Sequence, residues 1–285
     1  KGRCNVTNNS AASDVIKNIS GQKNFMYSAL NAFSPQDTID FFEKRGVGLK
    51  TERAGRVFPE SDKASDIVNA MRGFLKSAGV RVVNQRVVDL ISENGEIFGV
   101  ITDKGKYPVK SAVLATGGLS YPATGSTGDG YEFARRLGHR IIDKRPSLVS
   151  LETSDRLCGE CEGLALKNVA ISLLEDGREI FKDFGEMLFT RIGVSGPIIL
   201  SASAHIRNQG KCAYTLEIDL KPALSHEVLE KRVIRDFEQG KNKLFKNGLD
   251  KLLPCRLRAP IIQKSGIAPD IQVNSITREQ RRGLV

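Results

Sequence analysis

An α/β fold with a buried central strand is predicted by three features of the sequence. An amphipathic helix over about 62–78 carries Ile67, Met71, Phe74 and Ala78 at spacings of four, three and four. The almost wholly apolar stretch Ala112-Val113-Leu114-Ala115 runs straight into Thr116-Gly117-Gly118. A short strand apolar on both faces is what a doubly covered parallel strand looks like. A second glycine-rich stretch, Gly125 to Gly130, then opens onto a helix beginning at Asp129.

The elements before this point read as follows. Residues 1–33 are rich in Asn and Ser and read as loop with short helical pieces. Ser34-Pro35-Gln36-Asp37 is a helix start, with Ser as cap and Pro in the first turn. Phe41 and Phe42 seat that helix and Gly46 ends it. Residues 47–58 form a short hairpin turning near 52–55. Ser61 or Asp62 caps the next helix, and Gly79 stops it. Strands follow over 80–83 and 86–91. Asn94-Gly95 is a two-residue turn into 97–102, and residues 103–105 turn again into 107–109. Helix, strand, antiparallel excursion, buried strand and Gly-rich loop together make part of an α/β nucleotide-binding domain.

Beyond 145 the character changes. Val169, Ile171 and Leu173 alternate with Ala170, Ser172 and Leu174, and Asp176-Gly177 turns the chain back. This is a small β-rich domain, partly closed. Ser195-Gly196-Pro197 opens a helix over 198–206, and 215–220 alternates again. Helices are expected near 225–238, 243–252 and 256–264, and from 277 onward. The division expected is 1–145, 146–221, 222–274 and 275–285.

With 285 residues the chain has room for one large domain or two to three smaller ones. Hydrophobic residues at 40% and charged residues at 27% exclude a mostly disordered chain. No apolar run approaches the ~18 residues a membrane helix needs. Five cysteines are too few for a disulfide scaffold, and a reducing, cytoplasmic setting is expected. The net charge of +10 permits contact with nucleic acid or an acidic membrane without showing either. Residues 231–260 hold nine Lys and Arg against three Asp and Glu, read as a solvated helical face or an anion-binding surface.

Several stretches can carry chemistry. Glycines after a strand let a ligand approach the backbone at the crevice edge of an open sheet. The loop 121–130 offers backbone N–H groups and a helix N-terminus, an anion-friendly arrangement, and is not a Walker motif. Asp129 caps that helix or contacts a ligand directly. Arg3 and Asn5 can pin a planar heterocycle or its phosphates. Cys4 is a tolerated thiol or a redox-active one. Cys158 and Cys161 form a Cys-x-x-Cys pair, but a zinc site needs two more ligands, and a dithiol redox pair lacks a βαβ setting. No Gly-x-Ser-x-Gly hydrolase motif is present, because Pro197 follows Ser195-Gly196.

Four stretches together, KGRCNVTN at 1–8, ERAGRVFPESDKASDIV at 52–68, ATGGLSYPATGSTGDGYEFARRLGH at 115–139 and LFTRIGVSGPIIL at 188–200, resemble the HI0933-like family of bacterial flavoproteins, also called BaiN-like or YhiN-like. The resemblance covers nearly the whole chain. It implies a Rossmann-like FAD-binding domain, incomplete here, with an inserted β-barrel-like domain and a small helical domain. It further implies that Arg3, Cys4, Asn5 and Thr7 lie on the flavin side of FAD. Val87 then contacts adenine through its backbone. Ala115, Thr116, Gly117 and Gly118 lie close to the dinucleotide, and the loop containing Gly128 and Asp129 borders the cofactor cleft. Residues 188–197 are expected to face the flavin.

Family proteins begin with a strand and a Gly-x-Gly-x-x-Gly turn, and end with a Gly-rich return to the FAD domain. Neither is in this sequence, which is expected to be a piece of a longer protein. As it stands the piece is expected to hold FAD poorly and to be inactive. The activity implied for the whole protein is hydride transfer from NAD(P)H through FAD to an unsaturated small molecule. The catalytic groups are not assigned. The alternatives are a basic RNA-associated binding protein and a flavin-dependent nucleic-acid-modifying enzyme.

Overall fold

The computed structural model describes residues 2–285; Lys1, the first letter of the opening motif, lies outside the described residues. The chain divides into two compact units, the first ending at Asp143 and the second running Lys144–Val285.

In the first unit the chain forms β1 (Thr7–Asn8), α1 (Ala12–Lys17), α2 (Tyr27–Ala32), α3 (Pro35–Glu43), β2 (Leu49–Thr51), β3 (Arg56–Pro59) and α4 (Ala64–Ser77). A meander follows, β4 (Val87–Glu93), β5 (Glu96–Thr102) and β6 (Gly105–Pro108), and then α5 (Asp129–Arg136). The Ser34 hydroxyl accepts from the Asp37 amide at 3.2 Å, and the Ser34 amide donates to the Asp37 carboxylate at 2.8 Å, completing the cap of α3. The hairpin expected at 47–58 is β2 paired with β3, and β1 adds to its other side. Asn94 and Gly95 both take positive φ, the mirror-image turn that joins β4 to β5.

Three expectations for this unit are corrected. The cap of α4 is Lys63, without a side-chain cap bond, because the Ser61 hydroxyl donates instead to Asp66 at 2.6 Å. The N-cap of α5 is Gly128, and Asp129 is the first helical residue. The strands expected at 80–83 and 112–115 make no ladder, and every strand pairing among the described residues is antiparallel. The apolar pattern of both segments is strand-like, but a strand needs a neighbour to hydrogen-bond with. Val82 is 73% exposed and Val113 is 91% exposed, far from the covered environment their composition predicts.

The second unit comprises β7 (Leu151–Glu152), α6 (Leu157–Glu160), β8 (Ala165–Glu175), β9 (Arg178–Thr190), β10 (Gly193–Ser195), α7 (Pro197–Ser203), β11 (Tyr214–Asp219), α8 (His226–Gln239), α9 (Cys255–Ser265) and α10 (Arg278–Leu284). Its sheet has the order β11-β8-β9-β10-β7. The two end strands do not pair, so the expected barrel-like domain is an open half-barrel. Asp176 and Gly177, both at positive φ, close the long β8–β9 hairpin. Val169, Ile171 and Leu173 of β8 are buried, as their alternation predicts, together with Met187 and Phe189 of β9. Ile198, Ile199 and Ala202 of α7 belong to the same cluster, as do Val233, Phe237, Phe245, Leu249 and Leu257 from the helical segment.

The helix expected near 243–252 does not form. Its only helical piece is a 3₁₀ turn at Phe245–Asn247. The Phe245 amide donates to the Ile271 carbonyl at 2.8 Å and the Lys246 amide to the Pro269 carbonyl at 2.9 Å. Long-range bonds thus replace the i→i−4 bonds of a helix in a segment weakened by Asn247 and Gly248.

Cys158 and Cys161 are both free thiols, 5% and 0% exposed. Burial pushes both thiols above their ordinary range, with Asp155 and Glu160 respectively adding to the effect. The Cys161 Sγ donates to the Arg256 carbonyl at 3.4 Å. These are packing thiols held in their neutral form. Brief iodoacetamide treatment of the folded protein at pH 8 is expected to label Cys255, which is exposed, and to spare Cys158 and Cys161. Peptide mass spectrometry reads this directly; early modification of Cys158 would contradict it.

Candidate functional site

The residues marked out by the sequence gather into two clusters within the first unit. The first sits on the β1–β3–β2 sheet. Val6 donates to the Val57 carbonyl at 2.8 Å, and the Ala64 amide donates to the Gly2 carbonyl at 2.7 Å, tying the opening segment to β3 and to the start of α4. Asn5 is placed to donate its side-chain amide to the carbonyls of Val57 (3.2 Å) and Thr7 (3.0 Å). Thr7 pairs with Val57 in the sheet, and Cys4 is a half-buried free thiol.

Arg3 is committed to its own neighbours. Its guanidinium donates to Glu52, lies 2.9 Å from Asp62, and covers the Phe58 ring with its carbon 4.0 Å from the ring centre. Lys50 reaches the other oxygen of Asp62 at 2.8 Å. Hydrogen bonding from Lys50, opposed by desolvation and helped by the Arg3 charge, holds the Asp62 carboxyl below its usual range. The Glu52 hydrogen bond raises the Arg3 guanidinium correspondingly. Two cations facing two carboxylates leave this network with no excess of positive charge for a diphosphate.

The second cluster surrounds the start of α5. Gly130 of α5 lies against Thr116: a methyl group on Gly130 would stand 2.2 Å from the Thr116 hydroxyl oxygen. Gly118 similarly faces the Tyr131 hydroxyl, which lies 3.4 Å from the position a methyl would take. Ala115, Thr116 and Gly117 are exposed, and Gly117 takes φ +73°. The Thr127 hydroxyl donates to one oxygen of Asp129 at 3.0 Å, and Arg86 donates to the other at 3.2 Å. Arg86 immediately precedes Val87, which opens β4 opposite Thr102. Arg136 at the far end of α5 lies 3.5 Å from Asp89. Two ion pairs therefore bind α5 along the meander, and they bring Val87, residues 115–118, Gly128 and Asp129 into one neighbourhood.

An exposed, glycine-bearing backbone beside a helix N-terminus fits a dinucleotide: small residues permit close approach, and the helix end favours anionic groups. The opening segment fits less directly, since Arg3 and Asn5 spend their donors on the protein. Sequence reasoning missed Arg86, Glu52 and Phe58, and read Asp62 only as a helix cap. Arg86 and Asp129 are 43 residues apart, so their pairing leaves no local pattern. A broad groove of about 1030 Å³, lined by Lys44, Arg45, Glu60, Asp66 and Asn69 among others, holds none of the predicted cofactor residues.

Residues 1–244 match the HI0933-like protein Rossmann domain. The chain belongs to this family. Its members are flavin-dependent oxidoreductases, which makes FAD the cofactor of the Rossmann-like domain. The whole chain is 25% identical to a 3-dehydro-bile acid delta(4,6)-reductase of Clostridium scindens, covering 69% of that protein. It is also 27% identical to a ribosomal RNA dihydrouridine synthase of Haemophilus influenzae, covering 68% of it. An L-aspartate oxidase of Saccharolobus solfataricus is 27% identical over 195 residues, 63% of this chain and 37% of that protein. No helix among the described residues is long and apolar enough to cross a membrane.

Proposed function

We propose that this HI0933-like protein is a reductase that uses FAD and NAD(P)H to saturate a carbon–carbon double bond conjugated to a carbonyl. The observation that carries the reading is the 115–118 segment, exposed over 115–117 and docked on the start of α5, within a chain of this family. Bound FAD would supply the hydride-transfer chemistry, while the protein binds and orients. The backbone of Ala115 to Gly118 would lie along the dinucleotide, with Gly128 and Asp129 bordering the cleft and Val87 beside the adenine. Asp129 is best understood as a positioning residue, because Thr127 and Arg86 occupy both its oxygens. Asn5 and Thr7 would set the path of the opening segment on the flavin side, and Arg3 would brace it through Glu52 and Asp62.

The relatives named as a bile acid reductase and a dihydrouridine synthase both have names that describe saturating a ring double bond. That shared chemistry supports the reaction class and leaves the acceptor open between a small alicyclic enone and a pyrimidine. A pyrimidine in RNA is favoured as the second reading by the basic excess of the helical segment 222–285.

Purified full-length protein is expected to be yellow, with flavin absorbance near ~450 nm that bleaches anaerobically on adding NADH or NADPH. Absence of flavin even after incubation with FAD would reject the reading. A flavin that neither nucleotide reduces would reject NAD(P)H as the reductant.

A further inference from the structure

Residues 222–285 hold thirteen Lys and Arg against seven Asp and Glu, so +6 of the chain's +10 net charge falls in this helical segment. The fold concentrates part of that excess. Arg232 donates to the Lys251 carbonyl at 3.1 Å, which joins α8 to the loop before α9. Arg258 of α9 donates to the carbonyls of Asp250 (3.2 Å) and Leu253 (3.1 Å) in that loop. Lys243 lies 3.0 Å from the Asp250 carboxylate, and the Lys251 ammonium donates to Gln239 at 3.1 Å. Arg232 and Arg235 lie 3.6 and 3.7 Å from the two oxygens of Asp236, whose side chain is 11% exposed.

These interactions gather five cations in one place: Arg232 and Arg235 face Asp236 and Lys243 faces Asp250, while Lys251 and Arg258 are held by Gln239 and by backbone carbonyls. Asp236 is largely covered and lies against Arg232 and Arg235. Arg235, Lys243 and Lys251 remain exposed, as does Lys231 one turn back on α8. Backbone carbonyls hold Arg258 in place without neutralising it, whereas Arg232 also faces Asp236. Nearby Lys221 is lowered by burial and then by the Arg232 charge, as expected beside a positive surface.

We propose that this surface of α8 and the loop before α9 docks the phosphate backbone of RNA. Charge complementarity selects a polyanion, and the inference rests on the second reading above, in which the reduced double bond belongs to a pyrimidine in RNA. Cations of this kind position a nucleic acid without reading its sequence. Choice of the target base would therefore lie with the flavin-bearing unit.

The test measures binding of the full-length protein to a fluorescein-labelled 20-base-pair RNA hairpin by anisotropy across a salt series. Charge-removing substitutions are made at Lys231, Arg235 and Lys251, each to Gln; exposed Lys104, Lys106 and Lys110, each to Gln, form the control set. The triple variant of the surface is expected to bind at least about tenfold more weakly at low salt. Its slope of log K against log salt is expected to fall by about 2–3, close to one for each phosphate that is no longer neutralised. The control set is expected to change neither. Equal weakening in both sets, or an unchanged slope in the surface variant, would overturn this surface while leaving RNA as the acceptor. No binding by the unsubstituted protein, or tighter binding to a DNA duplex of the same length, would overturn the RNA reading itself. Reduction of the bound flavin by NAD(P)H is measured alongside and is expected to be unaffected by the triple substitution.

Discussion

Replacing Phe245 with Ala is expected to cost the second unit about 3–5 kcal/mol of stability, the range for truncating a fully buried aromatic. Its side chain is 0% exposed and meets the Phe237 ring edge-on, with centroids 6.2 Å apart. Its backbone is equally committed, since its amide bonds to the Ile271 carbonyl. The substitution therefore leaves a cavity at the point where α8 meets the chain that replaces the expected helix. Against a typical total of ~5–15 kcal/mol, the loss is large. Urea unfolding reads it; Phe245→Leu, which keeps most of the apolar volume, is expected to lose less. A loss below about 1 kcal/mol for the Ala variant would show that this packing does not hold the unit together.

Gly193→Ala is expected to detach β7 from the half-barrel. A methyl at residue 193 would lie 2.0 Å from the Leu151 carbonyl oxygen and 2.8 Å from the Glu152 Cα. Both obstacles are backbone, so no rotamer change relieves them. The pairing at risk is short: Gly193 opposes Glu152 and Val194 opposes Leu151. Overpacking of this kind costs about 1–3 kcal/mol, more than so short a ladder can absorb. Hydrogen-exchange mass spectrometry is expected to show reduced protection at 151–153 while β8 and β9 keep theirs. Retained protection at Leu151 would contradict the expected detachment.

The sequence is most legible where the signal is local. Ser34 and Asp37 are three residues apart and form the expected cap, and Asn94-Gly95 and Asp176-Gly177 make the expected turns. The alternation of Val169, Ile171 and Leu173 identifies a strand with one buried face. Legibility fails where a segment's partner lies far away. The tie from Arg86 to Asp129 and the bond from Phe245 to Ile271 are both long-range, and neither leaves a mark on nearby residues. The segment 243–252 is expected to be helical, yet the amides of Phe245 and Lys246 find their partners at Ile271 and Pro269. At the candidate site the glycine segments and α5 are legible as motifs, while the ion pairs that assemble them are not. Ala112 to Ala115 reads as a covered strand because its composition is apolar, whereas the hydrogen bonds that make a strand are not encoded by composition.

The stretch 112–118 joins no sheet, and Val113 stands almost wholly in water. A molecule that lies along it has no existing ladder to displace. Its affinity for the folded arrangement adds to conformational stability by mass action, growing with the logarithm of free ligand over the dissociation constant. If the dinucleotide lies there, as proposed, cofactor and scaffold would be thermodynamically one component, and saturation with it would help keep this edge folded.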